Sequence, residues 1–494
     1  MPTTITIDPL TRIEGHLDIE VTVDLVRGQQ QVVSARSGGS MFRGFEMILI
    51  GRDPRDAGPY TQRICGVCPA PHAMAACLTL DHAFGVTPPE NGRILRNLVL
   101  GANFIDSHLL HFYHLSILDY INTTGLLDRA PWVPRYSVPD MVGGATAQTL
   151  VSHYVAALHM RRKAHQMGAI FGGKLPHVGS FVVGGCTETV TSEKISEFRS
   201  LLAEIRDFIT NVYLPDANLL GSLFPVYYDL GRGHGNLLAF GGFDLNASGS
   251  SQFFPAGRYT DGATGSFDPA QIVEQVTASW YTETCGNRHP AQGLTEPDPD
   301  KPAAYTWCKA PRYANKPHEL GPLARMWVKN AYNRGISAMD RIVARALECR
   351  LLADAMDQWL DELLPGAPTY VPSVIPQQAT AAGLTEAPRG GLGHWIDVSN
   401  GRISRYQVVT PSAWNASPRD QLNQVGPIEA ALIGLPIADL NQPVEVLRVV
   451  HSFDPCMACA VHLLRPGQRP GEERVQVRIS DTTRRPARAG AQRR

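Results

Sequence analysis

Between residues 16 and 36 apolar and polar side chains alternate, with Leu17, Ile19, Val21 and Val23 in one phase. A period of two places one face of a strand against a core. The alternation breaks at Arg27-Gly28 and resumes at Val32-Val33, which predicts a β-hairpin. Farther along the period changes. Asn91 to Ile121, Ala145 to Phe171 and Ser192 to Tyr213 carry apolar residues at helical spacing, and Thr191-Ser192-Glu193 opens the third as a cap with an acidic first turn. Pro322 to Leu364 predicts one or two more helices, bent near Gly335. Residues 232 to 317, rich in Gly, Pro, Ser, Thr and Asn, read as strands and surface loops. Trp395 to Val409 reads as a hairpin around Asn400-Gly401, and Asn441 and Pro443 start a short helix. Together these elements predict an α+β fold that is mainly helical. A bundle of long helices forms its core, with β-hairpins and small sheets at the periphery.

Composition changes this picture only at the C-terminal end. The chain of 494 residues is 44% hydrophobic and 18% charged, an ordinary globular balance. A net charge of −1 supplies no pull toward nucleic acid or an anionic membrane. After His462 the tail carries nine Arg against three acidic residues and turns rich in Pro and Gly. Length alone suggests about three domains, but the pairing of the two ends described below argues for a single domain over 1–462, followed by an extension over 463–494 whose last dozen residues read as disordered. No uncharged apolar run of about 18 residues predicts a membrane span. The N-terminus lacks a basic start followed by an apolar stretch, so no signal peptide is expected. That leaves the cytoplasm, or an address supplied by a partner. No Gly-rich nucleotide fingerprint follows a strand.

Candidate chemistry concentrates at the two ends. Cys65 and Cys68 lie in Arg63-Ile64-Cys65-Gly66-Val67-Cys68, and Cys456 and Cys459 in Asp454-Pro455-Cys456-Met457-Ala458-Cys459. The pairs are 391 residues apart (456 minus 65), so only a folded domain brings them together. Four thiolates suit a structural zinc or a redox metal equally well. Zinc ribbons, however, usually keep their pairs about 15–20 residues apart to staple a small domain. A chain this long buries enough core without a staple. His72 and His462 follow the pairs, and Asp454 precedes the second, which a structural zinc would not require. Cys77, Cys186, Cys285, Cys308 and Cys349 lack ligand spacing and read as buried or partner-facing small residues.

These motifs, with Asp8-Pro9-Leu10-Thr11-Arg12-Ile13-Glu14-Gly15-His16, Phe42-Arg43-Gly44-Phe45-Glu46 and Glu386-Ala387-Pro388-Arg389-Gly390, give the chain to His462 its resemblance to the large, catalytic subunit of nickel–iron hydrogenases. Arg161-Arg162-Lys163-Ala164-His165 and Ile170-Phe171-Gly172-Gly173-Lys174 resemble the respiratory uptake branch and its selenium-containing relatives. Two departures stand out. Asp106-Ser107-His108 replaces a common His-Asp-His, and Cys456 is a cysteine where some relatives carry selenocysteine.

The resemblance implies that all four cysteines bind nickel, with Cys65 and Cys456 terminal and Cys68 and Cys459 bridging to an iron that carries carbon monoxide and cyanide. Arg389, backbone near Pro388, and Ser412 match positions that hold the cyanides. Cys456 would accept the proton of heterolytic dihydrogen cleavage and Glu14 would pass it on. Asp454 would orient Arg389 or nearby backbone, and His72 would hydrogen-bond a bridging sulfur. Glu46, the carbonyl of Val408, and His462 would bind magnesium. An endopeptidase would then cut after His462, although the 32-residue basic tail is longer than the family's usual piece.

Electrons would leave through an iron–sulfur small subunit, toward a membrane or soluble cytochrome. Metallochaperones would supply the NiFe(CO)(CN)2 centre. The small subunit's export signal would carry this chain to the periplasm or the membrane. A hydrogen sensor with little turnover is the alternative function, but sensory relatives lack a cleavable tail.

Overall fold

The computed structural model describes residues 2–460, excluding the side chains of residues 459 and 460. The expected roles of His462 and of the 463–494 extension lie outside the described residues. Strands β1 (Thr3–Ile7), β2 (Leu17–Val26) and β3 (Gln29–Gly39) form an antiparallel sheet in that order. The β2–β3 hairpin turns at Arg27-Gly28, both in the left-handed region, as the break in alternation predicts. The edge strand β1 is an addition that the apolar–polar period did not reveal.

Next come the short helix α1 (Phe45–Leu49), helix α2 (Pro69–Phe84), and the long helices α3 (Glu90–Leu109), α4 (Gly144–Gly172) and α5 (Ser192–Phe208). Beyond α3 the chain continues through a π-helical stretch, Leu110–Ser116, and a final 3-10 turn. Thr191 caps α5 by accepting the Lys194 N–H at 3.3 Å. The helix does not stop at Tyr213. A π turn, Ile209–Tyr213, leads into α6 (Leu214–Leu223), with Pro215 in the first turn, where a missing N–H costs little. The 322–364 segment is two helices, α7 (Pro322–Val328) and α8 (Ala338–Glu362), separated by a loop in which Ser337 caps α8. Helix α3 packs on α4 and α8, α4 on α5, and both α5 and α6 on α8. This is the expected bundle.

The Gly- and Pro-rich segment between α6 and α7 forms short strands of three or four residues and loops. After α8 the chain builds another three-stranded antiparallel sheet, β4 (Gln378–Ala387), β5 (Gly390–Ser399) and β6 (Arg402–Val409). The β5–β6 turn, Asn400-Gly401, has both φ angles positive (53° and 69°), as a tight two-residue hairpin requires. Strand β4 was not legible because Ala, Thr and Gly dominate it. It joins β5 through a second two-residue turn, Pro388-Arg389, with Ala387 opposite Gly390. The chain then forms α9 (Pro411–Asn415), α10 (Val444–Ser452) and α11 (Met457–Ala460). Among the described residues no helix is long and apolar enough to cross a membrane.

Helix α2 escaped the periodicity reading because it is buried on nearly every side and has no polar face. It lies on β4 so closely that a Cβ on Gly383 would meet the Thr79 nitrogen at 2.3 Å and the Ala75 oxygen at 2.5 Å. Both obstacles are backbone and cannot rotate away. Gly383→Ala is therefore expected to destabilise the protein by about 1–3 kcal/mol, the usual range for overpacking. A lower denaturation midpoint would report it, and an unchanged midpoint would mean that α2 can shift off the sheet.

Candidate metal centre

The first CxxC pair sits where a 3-10 turn, Gln62–Ile64, gives way to α2. Pro69 takes the first helical position, so Cys68 is held at the helix start. The N–H groups of Val67 and Cys68 both donate to Cys65 Sγ at 3.3 Å, which folds the pair around one sulfur. The second pair arrives after α10. Its Cys456 runs parallel to Glu14, and the Met457 N–H donates to the Glu14 carbonyl at 2.7 Å. Gly15 is needed at this junction. Its φ is +83°, and a Cβ would approach the Ala458 nitrogen to 2.5 Å.

The sulfurs converge. Cys456 Sγ lies 3.2 Å from Cys65 Sγ and 3.9 Å from Cys68 Sγ, and all three lie within 4.8 Å of one another. Each cysteine is buried. Cys459 occupies α11, three residues on, so its backbone is close to Cys456 while its side chain is outside the description. Arg43 ties the two segments together, donating to the carbonyls of Arg63 and Ile64 on one side and of Ala458 on the other.

Arg389 occupies the tip of the β4–β5 hairpin. Its Nε donates to the Asp454 carbonyl at 2.9 Å, and Nη2 contacts Asp454 Oδ1 at 3.1 Å. Asp454 adopts a left-handed backbone, φ 57°, just before Cys456. Burial opposes the charge on Arg389, but Asp454 and the three site cysteines favour it, and its pKa ends well above the ordinary arginine value. Among the described residues its buried Nη1 and the buried Asp454 Oδ2 find no hydrogen-bond partner. Ser412 accepts the Cys456 N–H on its hydroxyl oxygen at 2.9 Å, which leaves its own proton to donate. The Pro388 carbonyl accepts from Arg325.

Glu14 Oε2 accepts from Cys456 Sγ at 3.3 Å and from the Ala458 N–H at 3.1 Å. Burial, then the charge of Cys65, raises its pKa to about 7. A carboxyl balanced near neutrality can both take and give a proton. His72 projects from α2, with Nδ1 3.3 Å from His394 Nε2, and His394 Nδ1 in turn faces the Tyr406 hydroxyl at 2.9 Å. Burial lowers the His72 pKa to about 4, so the imidazole is neutral.

Of the residues expected to bind magnesium, Glu46 and Val408 meet at β6, and His462 lies outside the described residues. Glu46 accepts the Val408 N–H at 2.9 Å and the Thr295 hydroxyl. Buried Lys309 lies close enough to offset part of the Glu46 charge, and it bridges Glu274, Gln407 and the Leu294 carbonyl. The two Glu46 oxygens keep further acceptor positions after these bonds. Cys77, Cys186, Cys285, Cys308 and Cys349 are buried and unpaired, as their spacing suggested.

Sequence reasoning missed Arg325, Glu348, His394 and Tyr406. An arginine or glutamate on a helix ordinarily reads as a solvated charge. Glu386 and Arg43 each lie within a sequence motif, but residue order alone gives neither a role.

The profile of the family described as "Nickel-dependent hydrogenase" matches residues 43–133, 128–336 and 331–462, and a HoxL-like profile matches residues 4–36. The chain belongs to the nickel-dependent hydrogenases. It is 44% identical to the periplasmic [NiFeSe] hydrogenase large subunit of Desulfomicrobium baculatum, over 95% of this chain and 96% of that one. It is 32% identical to the hydrogenase-1 large chain of Escherichia coli K12, over 96% of both. Among solved structures, the Ni-Fe-Se hydrogenase from D. vulgaris Hildenborough in the reduced state superposes with a TM-score of 0.89 at 44% identity, covering 94% of this chain and 100% of that one. This hydrogenase large subunit is thus an oxidoreductase with the α+β fold of its relatives. Selenium figures in the names of the Desulfomicrobium and D. vulgaris proteins, whereas residue 456 here is cysteine. Buried soft sulfur donors, with an unpaired arginine N–H beside them, fit a nickel–iron centre.

Proposed function

We propose that this subunit oxidises dihydrogen by heterolytic cleavage at a nickel–iron centre held by Cys65, Cys68, Cys456 and Cys459. When bound, that centre supplies soft, redox-active metals that polarise dihydrogen and take up its electrons. Cys65 and Cys456 would hold the nickel, and Cys68 and Cys459 would serve both metals. The thiolate of Cys456 accepts the proton and hands it to Glu14. Arg389 keeps a fixed cation beside the reacting centre. Its spare N–H, the Ser412 hydroxyl and a backbone N–H near Pro388 would hold the cyanide ligands of an iron that would also carry carbon monoxide. Asp454 orients Arg389, and the neutral imidazole of His72 supports the sulfurs.

Glu46, the Val408 carbonyl and His462 bind magnesium, and cleavage after His462 ends maturation and removes the 463–494 extension. Electrons pass to an iron–sulfur small subunit, then to a cytochrome, and that subunit brings the chain to the periplasm. The proposal rests on one observation above all. Residues from both ends of the chain bury three sulfurs together, with Glu14 bonded to Cys456.

The test is metal analysis with infrared spectroscopy on the matured complex. Nickel and iron near one each, with bands of metal-bound carbon monoxide and cyanide, are expected. One zinc and no such bands in fully matured protein would leave only a structural cysteine site.

A further inference from the structure

A cluster of charges behind the hairpin tip plays no part in the chemistry above. Arg325, on α7, is fully buried, as are Glu348 and Glu386. Its Nε donates to Glu348 Oε2 at 2.8 Å and its Nη2 to Glu348 Oε1 at 2.6 Å, a two-pronged pairing. Its Nη1 donates to Glu386 Oε2 at 2.6 Å. Two contacts remain, and both go to backbone. Nη1 donates to the Ala387 carbonyl at 2.9 Å and Nη2 to the Pro388 carbonyl at 2.8 Å. These are the two residues immediately before Arg389.

The surroundings fix this guanidinium from every side. His108 Nε2 lies 2.8 Å from Glu348 Oε1, and the Phe240 N–H donates to Glu386 Oε1 at 2.6 Å. The Phe104 ring lies under the guanidinium at 5.2 Å. The turn also approaches the start of α7 through two facing glycines. A Cβ on Gly390 would meet the Leu320 Cβ at 2.6 Å and the Gly321 nitrogen at 2.8 Å, and one on Gly321 would lie 3.2 Å from the Arg389 carbonyl oxygen. Asn415 bonds both the N–H and the carbonyl of Leu320. The hairpin tip is therefore seated on α7, with its last carbonyls gripped by Arg325.

A core ion cluster used only for folding would satisfy its own charges and leave reactive loops alone. Here the guanidinium fork extends to a two-residue turn whose next side chain is Arg389. We infer that Arg325 is a positioning residue for the reaction, holding the Pro388-Arg389 turn so that Arg389 stays aligned with the cysteine cluster. This rests on the proposed role of Arg389. Lysine at 325 would keep the charge but cannot reproduce a planar fork that reaches two carboxylates and two carbonyls. A tip released by about 1 Å would lower turnover by about tenfold to a hundredfold.

The experiment compares Arg325→Lys, Arg389→Lys and the double variant as matured complexes, measuring nickel content, kcat, KM and the infrared bands of the iron's diatomic ligands. Arg325→Lys is expected to retain nickel, lose kcat by about tenfold or more with KM little changed, and displace the bands. The double variant should be no slower than Arg389→Lys alone, because both changes disable one device. Additive losses, or a loss that follows nickel content with unmoved bands, would make Arg325 structural only and overturn the inference. Full activity in Arg389→Lys would instead remove the role of Arg389 itself. If Arg325→Lys does not accumulate, Glu348→Gln loosens one arm of the same fork. A smaller loss, again non-additive with Arg389→Lys, is expected, and full activity or additivity would overturn the inference.

Discussion

Cys456→Ser is expected to leave a folded chain that cannot retain nickel and does not turn over dihydrogen. The change removes one atom type and little volume. The backbone bonds that hold the segment, from the Cys456 N–H to Ser412 and from the Met457 N–H to Glu14, do not involve the sulfur. What disappears is a soft donor 3.2 Å from Cys65 Sγ, together with the thiol that contacts Glu14. A hydroxyl is a hard, poorly acidic ligand for a metal selected by thiolates. Losing only an outer partner of a metal ligand typically costs about 10–100-fold in affinity or activity, and losing a ligand should exceed that. Metal analysis alongside a denaturation curve separates the two effects. Wild-type nickel content in the serine variant would remove Cys456 from the ligand set.

The second large effect falls on proton transfer. Glu14→Gln should keep nickel and the fold, because an amide oxygen can still accept the Ala458 N–H. It cannot carry a proton away. A positioned acid–base group contributes about 10²–10⁴-fold, and turnover should fall by that order. Exchange of hydrogen isotopes between the gas and water should fall with it, since that exchange needs the proton to leave the site but no electrons to leave the protein. Normal isotope exchange with slow net turnover would place the defect on the electron path and clear Glu14 of the role.

Some of this molecule was readable from residue order. The β2–β3 hairpin and helices α4 and α5 followed from period, because each keeps one face less buried, and the two hairpin turns followed from Arg27-Gly28 and Asn400-Gly401. Helix α2 and strand β4 were not readable. Helix α2 is buried on nearly every side, and Ala, Thr and Gly dominate β4, so neither carries an alternation to detect. The three described cysteines, Glu14, Arg389, Asp454 and Ser412 were found through motifs, and the structure brings them together. Arg325 and Glu348 were invisible because their environment, not their type, makes them unusual. A fully buried arginine whose fork ends on the carbonyls of a distant turn has no local signature.

The parallel pairing of Glu14 with Cys456 also sets a timetable. Ribosomes extend a chain by about 5–20 residues per second, so Cys65 emerges roughly 20–80 s before the partner that completes its cluster. Throughout that interval Glu14 has no Cys456 to pair with and the first cysteine pair has no second. The metal pocket is therefore among the last features the nascent protein can form. A cell that loads this enzyme must either wait for translation to finish or escort a half-built thiol pair until it does.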